Sequence, residues 1–93
     1  MEKQPSAHLK ALDLAYEVTT NFSRDDVCRE LSCKVESVAD AFEFEAEHAE
    51  LEDDSDAWDE LCVLATNLAG ACRSGSPCAR LDAAHELIEA LEI

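Results

Sequence analysis

The sequence predicts an all-α protein, a small four- or five-helix bundle, and three observations carry that expectation. Ala, Leu and Glu are abundant while 93 residues hold only two Gly and two Pro, a composition of helix formers with few β-branched runs to build strands. Apolar residues recur three and four positions apart along most of the chain, which is the period of an amphipathic helix. Short clusters of Ser, Asn, Asp, Gly and Pro interrupt that period, and these residues start and stop helices. A chain of 93 residues makes one domain, 1–93, that buries roughly 60 to 65% of its unfolded surface.

The first helix is expected from Pro5-Ser6 to about Thr20. Leu9, Leu12 and Tyr16 form one stripe, while Leu14 and Val18 lie on the opposite side. A helix apolar on two faces is either sandwiched in a core or shares one face with a second chain. Leu14 and Val18 are therefore the candidate dimerisation residues, and a homodimer through them is one expectation. Asn21-Phe22 reads as a stop, and Ser23-x-x-Asp26 has the form of a capping box for the next helix.

That second helix carries Val27, Cys28 and Leu31, then Val35, Val38, Ala39, Phe42, Ala46 and Ala49. Ser32 is an acceptable cap for a new helix, yet the apolar stripe continues through Ser32-Cys33. The helix count rests on that point. Residues 24–42 also fit a helix-turn-helix-like core, with Val27 and Leu31 inward, Cys28 at the crossing, Ser32-Cys33 at the turn, then Val38 and Phe42. Base reading is not supported. The would-be recognition helix offers Glu36, Ser37, Asp40 and Glu43 with Lys34 as its lone cation, where phosphate contacts need Lys, Arg and neutral donors. A helix-turn-helix-like regulator would have to act through protein contacts.

Leu51 to Asp56 is polar and rich in N-cap residues, so a turn is expected there. The third helix has the cleanest pattern: Trp58, Leu61, Cys62, Ala65, Leu68, Ala69 and Cys72 fall on one face. Arg73 to Pro77 closes it and opens a fourth, with Ser76 as cap and Pro77 at the first position. Leu81, Ala84, Ile88 and Leu91 face inward in that last helix, which should run almost to Ile93.

Charge is the strongest functional signal. Twenty-two Asp and Glu oppose seven Lys and Arg, a net charge of −15. A field of this sign keeps the chain apart from anionic surfaces and steers cations toward it. Direct binding to nucleic acid or to an anionic membrane is therefore disfavoured, since both require clustered Lys and Arg. The charge is also uneven. Residues 35–72 contain no cation and twelve carboxylates: Glu36, Asp40, Glu43, Glu45, Glu47, Glu50, Glu52, Asp53, Asp54, Asp56, Asp59 and Glu60. Laid out as one helix, the stretch from Glu36 to Glu60 would span ~37 Å, about one charge per 3 Å, close to the ~3.4 Å phosphate spacing along a DNA strand. Like charges four apart, such as Glu43 with Glu47 and Asp56 with Glu60, are mildly destabilising, so an uncompensated run suggests that the field itself is useful. The bland alternative is a solvated face kept for solubility.

No catalytic constellation is visible: no phosphate-cradling glycine loop, no HExxH, no calcium loop. The expectation is a binding protein rather than an enzyme, with no cofactor and no metal. Glu45-x-x-His48 and Asp82-x-x-His85 each resemble half of a di-iron bundle motif, but on a helical wheel neither converges on an apolar face. The five cysteines lack a CxxC pair and zinc spacing; Cys28, Cys62 and Cys72 lie on apolar stripes and suit packing. A small metal or redox protein built on Cys72 and Cys78 is the remaining alternative. The polar N-terminus, the missing membrane-length apolar run and the odd cysteine count point to the cytoplasm.

In size and charge the chain is similar to the small acidic proteins that phages and plasmids use to block host nucleases, restriction systems or CRISPR complexes. The similarity is compositional and rests on no motif. It implies an anti-restriction or anti-CRISPR type of DNA mimic, acting in the host cytoplasm. The partner expected is a basic, nucleic-acid-handling protein, met through Glu36, Asp40, Glu43, Glu47, Glu50, Asp53, Asp54, Asp56, Asp59 and Glu60.

Overall fold

The computed structural model describes residues 7–50 and 52–92, and these form four helices: α1 (Ala7–Asn21), α2 (Asp25–His48), α3 (Glu52–Ser74) and α4 (Pro77–Glu92). The expected helix start at Pro5-Ser6, and both Leu51 and Ile93, lie outside the described residues. Connections of two or three residues force successive helices to run antiparallel. α2 packs most extensively on α3, and the ring closes through α3 on α4, α4 on α1 and α1 on α2. The result is an up-down-up-down bundle of 39 × 27 × 21 Å.

α2 is unbroken through Ser32-Cys33, which removes the helix-turn-helix segmentation of residues 24–42. The reason is local. Ser32 is buried and its hydroxyl donates back to the Arg29 carbonyl at 2.7 Å, so the side chain is satisfied within the helix and has no call to cap another. The capping box at Ser23 also does not form. Arg24 takes the N-cap position, in an extended conformation and without a side-chain cap. The Arg24 N–H closes a tight turn onto the Asn21 carbonyl at 2.9 Å, and that turn uses up Ser23. Asp25 and Asp26 then occupy the first turn, where carboxylates complement the positive end of the helix dipole.

The expected turn at residues 51–56 is shorter than its composition suggests. α2 ends at His48, and Asp53, Asp54, Ser55 and Asp56 already belong to α3. Residues that favour N-caps are also tolerated in a first turn, where their negative charge is stabilising. Ser55 staples the two helices by donating to the Ala46 carbonyl at 2.9 Å. At the α3–α4 corner the sequence reading holds: Ser76 Oγ accepts the Ala79 N–H at 3.2 Å, and Pro77 opens α4. Gly75 is needed there, since a Cβ would fall 2.8 Å from the Ala71 carbonyl oxygen.

The core is filled by Cys28, Val35 and Phe42 from α2, Ala65, Leu68 and Cys72 from α3, and Ala84, Leu87 and Leu91 from α4. α1 contributes Ala11, Ala15 and Val18, so its inner stripe is not the Leu9-Leu12-Tyr16 row. Small residues let α1 approach its neighbours closely, and the bulkier side chains are pushed to the rim. Leu9 and Tyr16 are 54% and 45% exposed; Tyr16 uses its position to donate to Glu92 at 2.6 Å. Val18, expected on a dimer face, is wholly buried in the chain's own core and has no surface to offer a second copy.

Among the described residues, one charged side chain enters this interior. Arg80 is 4% exposed and binds the Ala71 carbonyl at 3.1 Å, the Phe22 carbonyl at 3.2 Å and Asp25 Oδ1 at 2.7 Å. It thereby ties the start of α4 to the end of α3 and to the α1–α2 corner. The guanidinium suits this task because its planar fork supplies several donors at fixed angles.

Candidate functional site

On α2, the buried positions Val35, Val38, Ala39 and Phe42 fix the orientation of the helix. At 100° per residue, Glu36, Asp40, Glu43 and Glu47 then fall together on the flank that faces α3. α3 runs antiparallel alongside, with Ala65, Leu68, Ala69 and Cys72 inward, and turns Asp59 toward the same seam. The structure brings these side chains together: Glu43, Glu47, Asp56 and Asp59 line a shallow groove of about 300 Å³, floored by Ala46 and Ser55. Asp40 belongs to the same field. The Cys62 thiol is pushed up by burial; a hydrogen bond involving Thr66 opposes this, and Glu43, Asp59 and Asp40 raise it further. Five carboxylates thus surround one seam.

The other expected residues are distributed differently. Glu36, at the far end of the seam, is joined to Arg73 at 2.7 Å, so a cation from outside the acidic stretch neutralises it through the tertiary fold. Glu50 lies in the α2–α3 turn, with Asp53 and Asp54 in the first turn of α3, all exposed. Glu45, two residues from both Glu43 and Glu47, falls on the opposite flank of α2. Glu60 faces away from the seam altogether and lines a second groove with Leu64, Glu86 and Glu89. The twelve anions are therefore not one rod of ~37 Å. The chain reverses between α2 and α3, and two short antiparallel rows replace the single line that the sequence suggests.

Glu86 and Glu89 were not picked out by the charge run, because they lie beyond it. With Asp82 they form an i, i+4, i+7 row on α4, a pattern that is present in the sequence. Arg80 was missed as well, although it stands in register with Ala84, Leu87 and Leu91 on the inner stripe. A charge in a core register is a usable signal.

Among the described residues, no group of three or more His, Cys, Asp or Glu side chains is placed to hold a metal ion. The seam offers negative field rather than a chelating cage. Cys72 meets Cys28 in the core rather than Cys78 at the corner. Burial, reinforced by Cys28, pushes the Cys72 thiol up to about 11, with Arg80 pulling the other way. A thiol so held is protonated at neutral pH and a poor nucleophile.

No family model, curated protein or solved structure matches the chain.

The opposite flank of α2 has a different character. Leu14, Val38 and Ala41 line an apolar groove between α1 and α2, bordered by Lys10, Lys34 and Asp13. Leu14, expected at a dimer contact, is half-buried here and packs partly on the core. No described helix is long and apolar enough to cross a membrane.

Proposed function

We propose that this chain is an acidic protein-binding module that docks through the α2–α3 seam on the basic, nucleic-acid-binding surface of a partner and keeps nucleic acid from it. The observation that supports this reading most is the convergence of Asp40, Glu43, Glu47, Asp56 and Asp59 along two rigid helices that pack against one another. Carboxylates held on helices are already placed before binding, so little ordering is lost on contact. Opposed fields speed the encounter and make it sensitive to salt. An inhibitor of the anti-restriction or anti-CRISPR kind, resembling nucleic acid to its target in the cytoplasm, fits this chemistry. No step of catalysis is assigned to it.

Affinity capture from a lysate of the native host, at ~50 mM and ~500 mM salt, tests the reading. A basic nucleic-acid-binding protein should be retained at the lower salt and released at the higher. The triple variant Glu43→Lys/Glu47→Lys/Asp59→Lys should fail to retain it at either. Full capture or full biological effect by that variant would sink the proposal.

A further inference from the structure

Among the described residues, Phe44 is the most exposed of the large apolar side chains, at 57%. It stands on the outward ridge of α2, flanked by Glu43 and Glu45 in sequence and by Asp40 and Glu47 one turn away. Side chains on a helix lean toward its N-terminus. His48 accordingly lies back on Phe44, with ring centroids 4.1 Å apart and planes inclined by 24°. His48 Nδ1 donates to the Phe44 carbonyl at 2.9 Å, which fixes the imidazole and through it one face of the phenyl ring. Phe44 itself leans toward Asp40. An aromatic ring stacked on one face, half in water and with Asp40 and Glu47 one turn away on either side, has a specific complement. Its π face is negative, as are its neighbours, so it suits a cation that is also flat and weakly hydrated. A guanidinium meets both conditions and can place its N–H fork on a carboxylate while its plane covers the ring; an ammonium is compact and strongly hydrated.

We propose that Phe44, with Asp40 and Glu47 one turn to either side, is an arginine-reading position at the outer edge of the docking face, so that the partner engages it through an arginine side chain. The inference rests on the docking reading above and adds the chemistry that the partner must present. His48 acts as a positioning residue for the ring.

The test uses the whole chain and two probe peptides of equal length and charge, octa-arginine and octa-lysine, titrated at ~50 mM salt by calorimetry. Wild type should bind octa-arginine more tightly. Phe44→Leu, which keeps an apolar side chain but removes the ring, and Phe44→Ala should each weaken octa-arginine about two- to fivefold and leave octa-lysine unchanged. Asp40→Asn/Glu43→Gln should weaken both peptides. Phe44 is exposed, so these variants keep the fold, which circular dichroism verifies. Shifts of the Phe44 and His48 ring resonances with octa-arginine, and not with octa-lysine, would locate the contact. If both variants bind octa-arginine as wild type does, the inference is overturned while docking by charge stands. If neither peptide binds wild type in a salt-dependent manner, the docking reading falls with it.

Discussion

The two ends of the α2–α3 hairpin use charge in opposite ways. At the end where the α1–α2 and α3–α4 corners meet, two cations are paired and structural: Arg80 binds Asp25 and two carbonyls, and Arg73 farther along binds Glu36. At the other end, Asp40, Glu43, Glu47, Asp56 and Asp59 share a seam to which the sequence supplies no cation between residues 35 and 72. The first end is held partly by polar contacts. The seam carboxylates of the second repel one another, and Phe42 against Trp58, ring centroids 5.7 Å apart, with the Ser55 staple, holds it against that repulsion. A fold can therefore carry an unbalanced field if apolar packing under that field is sound.

The largest test of this contrast is Phe42→Ala. Phe42 is completely buried, and removing a phenyl ring from a packed interior costs about 3–5 kcal/mol. Denaturant unfolding should show a loss of this size that barely changes with salt, since the lost contact is apolar. A strongly salt-dependent loss would mean that electrostatics, rather than packing, governs that end.

Next comes Arg80→Ala, expected to cost about 2–4 kcal/mol because two carbonyls lose their donor and a buried stem leaves a void. Thermal unfolding measures it. Asp25→Asn should cost far less, since Asp25 is two-thirds exposed and such pairs are weak. Equal losses in the two variants would show that the ion pair, and not the carbonyl contacts, is what holds the corner.

Neutralising the seam should act in the other direction. Glu43→Gln/Glu47→Gln removes a like-charge pair one turn apart and should raise stability by about 0.2–0.5 kcal/mol at low salt. The gain should vanish near 1 M salt, where the screening length falls to ~3 Å. No gain at low salt would mean that the seam carboxylates are compensated.

The smallest expected effect concerns pH. The hydrogen bond and the charge of Arg80 hold the Asp25 carboxyl below its usual range. A group whose folded value is depressed stabilises above its unfolded value, ~3.9 for aspartate, and that contribution is lost as pH falls through the folded value. Wild type and Asp25→Asn should therefore differ slightly at neutral pH and converge in acid below ~3.9. A difference that persists unchanged to pH ~2 would remove the ion pair from the corner.

The parts of this structure that were legible in the sequence are those fixed by local chemistry. The apolar face of α3 from Trp58 to Cys72, the Ser76-Pro77 start of α4 and the stop at Asn21 all depend on neighbours within a turn or two. What was not legible depended on which helix lies beside which. The wheel places Glu60 on a different side of α3 from Asp59, but only the packing of α4 gives it Glu86 and Glu89 for company. Glu36 has no cation three or four residues away in its own helix and finds Arg73 from the next. Ser32 could cap or bond backward with similar ease, and continuity of the buried stripe decided between them. In α1 the Leu9-Leu12-Tyr16 row is the bulkier one, yet the Ala11-Ala15-Val18 row faces inward because close helix approach favours small side chains.

The unbroken course of α2 has one consequence for selectivity. Its carboxylates recur at intervals of three and four residues, about 4.5 to 6 Å along the axis, and a stiff backbone keeps that interval constant. A floppy acidic tail can adjust to any array of cations, so its affinity follows total charge alone. A helix works as a ruler. On the proposed docking reading, basic surfaces whose positive groups repeat at a matching interval would be favoured over equally charged surfaces that do not, and choice among them would become a matter of spacing.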